Sequence, residues 1–200
     1  MAGQAWLYAV FAYLLGSFPS AYVVGRMAGR VDIRCIGDGN IGARNTFFQV
    51  GRWAGIAVGA IDIAKGSVAV LVARRAGLDD LWVLIVGGAV VLGHDFMLFL
   101  GFQGGQGMAT TIGVLLVILP LQTCMGLCIA ALVWLLSKRR FNLSMAIGLG
   151  AIPMLAWITD EPSERALYPV AVLPIIGMRK LMQMRAAQRI SALQDNGFTD

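Results

Sequence analysis

Long apolar runs separated by short polar breaks dominate the chain, and the runs are much longer than an amphipathic strand or surface helix requires. A membrane-crossing helix needs about 20 mostly apolar residues. Seven segments approach that description: Trp6–Met27, Trp53–Ala73, Leu81–Phe102, Met108–Pro120, Leu121–Leu136, Leu143–Ile158 and Ala166–Met178. The fourth and seventh are short for full spans, and Gly and Pro interrupt several, which membrane helices tolerate. The pattern predicts an all-α integral membrane protein of about seven transmembrane helices, forming one polytopic domain over residues 1–200. The N-terminal "MAGQAWLYAV" lacks the basic flank of a cleaved signal, so the first apolar segment is expected to stay.

Composition agrees. The 200 residues are 58% hydrophobic and 14% charged, with a mean hydropathy of +0.74, whereas soluble domains carry roughly 25% charged residues. The net charge of +5 would suggest a nucleic-acid partner in a soluble protein. Here it reads as flanking charge that sets topology, with no nucleic acid involved. With the N-terminus outside and seven spans, twelve basic residues fall inside: Arg26, Arg30, Arg34, Arg44, Arg52, Lys138, Arg139, Arg140, Arg179, Lys180, Arg185 and Arg189. Only Arg74, Arg75 and Arg165 fall outside. Reading Met108–Leu136 as one helix would put Lys138–Arg140 outside, so a hairpin turning near Pro120 is predicted. The C-terminus is then cytoplasmic, and residues 178–194 read as a basic amphipathic helix lying on anionic lipid.

Polar residues inside apolar runs point to chemistry. Asp62 and Lys65 lie three apart in "IDIAKGS", on one helix face where they can pair. Ionisable groups within a span are costly and are functional candidates, although an ion pair locking helices together is an equally physical reading. His94, the sole histidine, precedes Asp95 near the cytoplasmic end of the third span. One histidine without a ligand cluster argues against a metal site. Cys35, Cys124 and Cys128 have no metal-ligand spacing and are expected to be packing thiols. Two glycine-rich loops, "GDGNIGARN" (Gly37–Asn45) and "GFQGGQG" (Gly101–Gly107), fall on the cytoplasmic side with "KRRFNLS" (Lys138–Ser144). Glycines ahead of a helix present N–H groups to an anion. Two such loops beside Lys65, Arg44 and His94 describe a pocket for a phosphate-bearing ligand at the inner membrane surface. No G-x-S-x-G element or Ser-His-Asp set is evident, so positioning and charge neutralisation are favoured over a covalent serine.

These residues carry a resemblance. "YLLGSFPSAYVVGR" (Tyr13–Arg26), "VDIRCIGDGNIGARN" (Val31–Asn45), "DIAKG" (Asp62–Gly66), "GHDFMLFLGFQGGQGMAT" (Gly93–Thr110) and "NLS" (Asn142–Ser144) resemble, in order and spacing, the bacterial acyl-phosphate:glycerol-3-phosphate acyltransferases, the PlsY family. The resemblance implies a seven-span bacterial inner-membrane enzyme with its active site facing the cytoplasm. Its substrates would be acyl phosphate and glycerol 3-phosphate, its products lysophosphatidic acid and phosphate. It would work as a monomer in membrane lipid, with no metal or cofactor and no acyl-CoA or acyl-carrier-protein donor. It assigns catalytic roles to His94 and Lys65. Substrate binding would fall to Gly37, Gly39, Asn40, Gly42, Asn45, Gly104, Gly105 and Gly107, which match the family pattern, and to Ser144; from their place in or beside the same loops, Arg44 and Gln106 are expected to join them.

Several positions depart from the family pattern. Asp38 stands for a usual Ser, Arg44 for a Thr, and Phe48 for a basic residue. Gln103 and Gln106 stand for two lysines, and Asn142-Leu143-Ser144-Met145 for Ser-Leu-Ser-Ser. An ionic phosphate contact is worth ~1.5–3 kcal/mol against about 0.5–1.5 for a neutral hydrogen bond. The lost cations therefore predict weaker phosphate binding unless Arg44 compensates, and Asp38 worsens the balance unless it pairs with Arg44. The rival readings are a divergent paralogue with an altered acceptor or a lost activity, serving as a lipid-binding or regulatory protein, and, from the Asp62–Lys65 pair alone, a small transporter.

Overall fold

The computed structural model describes residues 2–195, with side chains placed from 3 to 183. The described residues form helices and loops without strands. Four stretches, Ala5–Gly29, Arg52–Arg75, Asp80–Leu100 and Phe141–Ile158, are long and apolar enough to cross a membrane. The first is not one helix. It comprises α1 (Ala5–Gly16) and α2 (Ser20–Val24), because Pro19 has no N–H to give and cannot continue the ladder. A short helix α3 (Ala43–Gln49) follows the first glycine loop and leads into α4 (Arg52–Arg75). Then comes α5 (Asp80–Asp95), whose N-terminus is capped by the Asp79 carboxylate, accepting from Trp82 N at 2.9 Å.

The third apolar run leaves the helix at Phe96 rather than continuing to Phe102. The exit is marked by Phe96 at φ −126° and by Gly101 in the left-handed region. Polar backbone freed here is re-paired locally, with Phe102 N donating to Met97 O and Gly105 N to His94 O, as irregular backbone in an apolar setting requires. Two short helices follow, α6 (Met108–Ile118) and α7 (Pro120–Leu136). Pro120 occupies the first turn of α7, where its missing N–H costs nothing. The chain reverses there. At the turn end, Arg74 at the end of α4 donates to Val117 O at 2.7 Å, and Gln122 donates to Thr159 and Glu161. The far end of α7 returns beside Arg44 and Phe47. A single helix over Met108–Leu136 is excluded.

The run Leu143–Ile158 is likewise two pieces, α8 (Phe141–Gly150) and α9 (Ile152–Ile158), with Pro153 in the first turn of the second. The last helix, α10, runs unbroken from Ser163 to Asp195 through Pro169 and Pro174. It therefore joins the seventh apolar run to the basic tail without a turn. Side-chain faces beyond residue 183 lie outside the described residues, so the amphipathic reading of 178–194 is not placed. The three cysteines are free and exposed. This corrects their expected packing role: Cys124 and Cys128 sit on the outer face of α7, where an apolar thiol is as well accommodated as by a core.

Helix packing rests on reciprocal glycines. A methyl at Gly16 would strike Val90 O, and one at Gly93 would strike Tyr13 O, so α1 and α5 meet backbone to backbone. The same exchange joins α4 to α6 through Gly66 against Thr110 O and Gly113 against Ile63 O. It joins α7 to α8 through Gly126 and Gly148, each facing the other's carbonyl. Lipid gives little hydrophobic drive for helix association, so close van der Waals approach at small residues has to supply it. Gly66→Ala is expected to lower stability by about 1–3 kcal/mol or more, because backbone cannot yield as a side chain can. Gly88 has nothing within 4 Å, and Gly88→Ala is expected to be neutral or up to about 1 kcal/mol stabilising. Unfolding midpoints of the two variants in one detergent compare them directly.

Candidate functional site

The loops Gly37–Asn45 and Gly101–Gly107, the start of α8 and the cytoplasm-predicted part of α10 converge at one end of the bundle. They enclose a cavity of about 460 Å³. Its polar lining includes Asp38, Asn40, Arg44, Asp62, His94, Gln106, Asn142, Lys180 and Gln183, with Gly42 and Gly107 contributing backbone. Beneath it, between α3, α4, α7 and α8, lies a mostly apolar groove of about 740 Å³ lined by Phe47, Ile56, Ala130 and Trp134 among others.

The first loop is held by Asn45. Its Nδ2 donates to Ile33 O, Ile36 O and Asn40 O, and its Oδ1 accepts from Asp38 N at 3.3 Å. Gly37 at φ +63° lies against that same Oδ1, and a Cβ there would collide with it. Asn45, Gly37 and Gly39 thus shape the loop and do not line the cavity. Asp38 accepts from Asn40 N at 3.1 Å, and no carboxylate among the described residues lies within 4.0 Å of the Arg44 guanidinium. The Asp38–Arg44 pairing therefore does not form. Just upstream, Asp32 receives Arg34 through Nε at 3.0 Å and Nη2 at 2.8 Å. The Arg34 side-chain hydrogen bonds pull its pKa from 3.8 to about 2, so it is ionised throughout the neutral range.

Lys65 does not face the cavity. Its ammonium is buried, with the side chain 3% exposed. It donates to Gly16 O at 2.9 Å and contacts His94 Nδ1 at 2.8 Å and Asp62 Oδ1 at 3.0 Å, with Phe18 O at 3.4 Å. Three N–H donors are thereby spent. Gly16 O is available because the helix stops at Pro19: Ser20 N bonds Phe18 O instead. Lys65 thus sits behind His94 and not on the cavity wall. An ammonium only donates, so Nδ1 of His94 accepts and the ring hydrogen resides on Nε2. Nε2 has no hydrogen-bond partner among the described residues, and His94 lines the cavity as a donor. Gly105 packs against that edge of the ring, and a Cβ there would strike Nε2. Gly104 is pressed equally hard against His94 O and Asp95 O. Asp95 is fully buried with neither oxygen hydrogen-bonded among the described residues, and it lies under Gly107 where α6 begins.

Of the predicted residues, Asn40, Gly42, Arg44, His94, Gln106 and Gly107 line the cavity. Ser144 does not: its hydroxyl bonds Arg140 O at 2.9 Å, and the residue borders the apolar groove. Sequence reasoning missed Lys180 and Gln183. Gln183 donates to Gly104 O at 3.1 Å and accepts from Gln106 Nε2 at 2.9 Å, with Asn40 Oδ1 at 3.4 Å. α10 thus straps both glycine loops together. The signal was present as a helical repeat of polar residues at 179, 180 and 183, but a basic tail after a span reads first as a lipid-facing surface.

With this geometry established, comparison with known proteins places it. The family model described as glycerol-3-phosphate acyltransferase matches residues 6–195. The chain belongs to the glycerol-3-phosphate acyltransferase family. Among curated relatives it is 38% identical over 181 residues to glycerol-3-phosphate acyltransferase 4 of Dehalococcoides mccartyi, covering 90% of this chain and 96% of the relative. It is 44% identical over 144 residues to the enzyme of Geobacter sulfurreducens, covering 72% and 73%. Among solved structures, PlsY (YgiH), an integral membrane glycerol 3-phosphate acyltransferase in its glycerol 3-phosphate form, superposes with a TM-score of 0.82 at 27% identity, over 98% of this chain and 100% of that one. The lysophosphatidic acid form gives 0.81 at 26% identity, over 93% and 92%. The acyltransferase family fold thus extends over nearly the whole chain.

The Lys65 cluster makes a stability prediction. Lys65→Met leaves Asp62 charged and buried beside an unpartnered Gly16 carbonyl, and is expected to cost about 3–5 kcal/mol. Adding Asp62→Asn removes the stranded charge while keeping an acceptor for Ser20, whose hydroxyl bonds Asp62 at 2.6 Å. The double variant is expected to regain most of the loss. Detergent unfolding midpoints of the single and double variants check this.

Proposed function

We propose that the protein transfers an acyl chain from acyl phosphate to the hydroxyl of glycerol 3-phosphate, releasing phosphate and lysophosphatidic acid. The observation that carries this is the union of a polar, glycine-walled cavity with an apolar groove at the one site where His94 presents a fixed donor. Family membership and the two liganded PlsY forms support the acceptor and product. In the step, the acceptor oxygen forms the new C–O bond to the acyl carbonyl carbon, and the carbon–oxygen bond to the leaving phosphate breaks. The departing phosphate takes the hydroxyl proton, so no side chain has to act as base. Nε2–H of His94 donates to the oxygen on which charge develops, and Lys65 holds the ring in that tautomer. Asn40, Gln106 and the glycine-loop N–H groups orient the acceptor, with Arg44 and Lys180 offsetting phosphate charge.

Purified protein is expected to release phosphate from acyl phosphate only when glycerol 3-phosphate is added, and to leave acyl-CoA and acyl carrier protein substrates untouched. Binding of glycerol 3-phosphate without turnover on any of the three donors would identify a paralogue that has lost the reaction.

The proposal includes seven spans in the bacterial inner membrane, the N-terminus outside, the cavity and C-terminus cytoplasmic, and the end of α10 on the inner surface. The distribution of twelve basic residues against three supports it. In a cysteine-free background, single cysteines at Ala2 and Asp160 are expected to react with an impermeant maleimide in intact spheroplasts, and one at Arg139 only after lysis. The inverse pattern reverses the orientation.

A further inference from the structure

The polar cavity and the apolar groove share five wall residues: Ala43, Arg44, Leu127, Phe141 and Met145. Arg44 alone among them is charged. Its guanidinium lies 5.8 Å from the Phe48 ring and 5.7 Å from the Phe141 ring. Phe48 is 69% exposed, borders the groove and packs edge-on to Phe47, with Arg44 over its ring. Two π-faces fix a guanidinium without occupying its N–H groups. Arg44 has no ion pair or side-chain hydrogen bond among the described residues, so its donors remain unspent at the junction of the two compartments. Lys180 borders the polar cavity and not the groove.

Each ligand of the proposed reaction has a different shape of charge. Glycerol 3-phosphate is polar throughout and has no use for a groove. The acyl donor is a single apolar rod with its anionic group at one end. Only at Arg44 does a cation adjoin both compartments. We propose that Arg44, clamped by Phe48 and Phe141, receives the phosphate head of the acyl donor, its chain filling the groove between α3, α4, α7 and α8, while Lys180 serves the acceptor phosphate. The proposal rests on the acyl-phosphate reading and adds the division of labour between the cations. It also accounts for an aromatic residue at position 48: one helical turn from Arg44, the ring holds the cation in place.

The test uses full-length protein in detergent, with hexadecyl phosphate as a non-reacting probe for the donor and glycerol 3-phosphate for the acceptor. Binding is read by calorimetry, and KM for each substrate by turnover. Arg44→Met is expected to weaken hexadecyl phosphate about tenfold to a hundredfold, the range for losing an ionic hydrogen-bonded contact. Glycerol 3-phosphate should stay within about twofold. Arg44→Lys should recover part of the loss. Phe48→Leu with Phe141→Leu, which keeps the charge but frees it, should weaken the probe by a smaller factor. Lys180→Met should raise the KM for glycerol 3-phosphate and spare the probe. Equal loss of both ligands in Arg44→Met, or loss of the acceptor alone, overturns the assignment. So does an equal loss of hexadecanol binding, which would trace the effect to the groove wall rather than to charge. Arg44 is exposed, so the unliganded unfolding midpoint should be unchanged, and the double phenylalanine variant tests the clamp without touching the charge. Wild-type protein that binds the probe through Arg44 yet turns over no acyl phosphate would refute the reaction while leaving the head site intact.

Discussion

The buried ammonium of Lys65 is the constraint from which the site follows. An ammonium in an apolar bundle is tolerable only when every N–H has a partner, and no single helix supplies three. The break at Pro19 frees a carbonyl from α1, α4 supplies Asp62 one turn from the lysine itself, and α5 supplies the imidazole. Ser17 reinforces the junction by bonding Gly93 O and receiving Leu98 N. Three elements distant in sequence are thereby brought into one register. The same bonds that neutralise a costly charge select the tautomer of His94. The cluster that neutralises the buried charge is also the one that orients His94 toward the cavity.

Around that cluster the cavity carries little positive charge. Amides occupy much of its rim, and Gln106 and Gln183 bond to each other across it. The acids Asp38 and Asp62 face the same space as Arg44 and Lys180. The positive charge that faces the cavity is divided between Arg44 and Lys180 rather than gathered in a dense basic patch. α10 closes the wall through contacts to both glycine loops, so the last helix of the chain is part of the site and not only an anchor.

Much of this is legible in the sequence. Run length and composition gave a helical membrane protein, charge asymmetry gave the reversal near Pro120, and the two glycine loops with His94 gave the neighbourhood of the cavity. Lys65 was placed correctly on the face of Asp62, but its other partners were not visible. The partners that consume its donors are main-chain carbonyls, and a sequence does not show which carbonyls a proline will release. Ser144 borders the apolar groove rather than the polar cavity, and a sequence does not show that its hydroxyl bonds its own helix at Arg140 O. Phe48 read as a lost cation and Arg44 as a gained one, but a position-by-position comparison does not show that the ring lies beside the guanidinium. Lys180 and Gln183 were hidden by their setting in a basic tail, where solvent or lipid is the default neighbour.

The glycine seams carry a consequence for how the molecule is made. Two of the three tight helix couples join elements that are not successive: α1 to α5, and α4 to α6. The partners interleave along the chain. Helices delivered to a bilayer in order therefore leave α1 without its mate until α5 has emerged, and α4 without its mate until α6 follows. Through that interval Lys65 is in place while His94 is still unsynthesised. The nascent chain must hold an incompletely partnered ammonium against Asp62 and the opened end of α1. Biogenesis passes through a stage that the finished bundle no longer displays, and the pairing of Asp62 with Lys65 within a single helix is the one part of the cluster that can shelter the charge from the start.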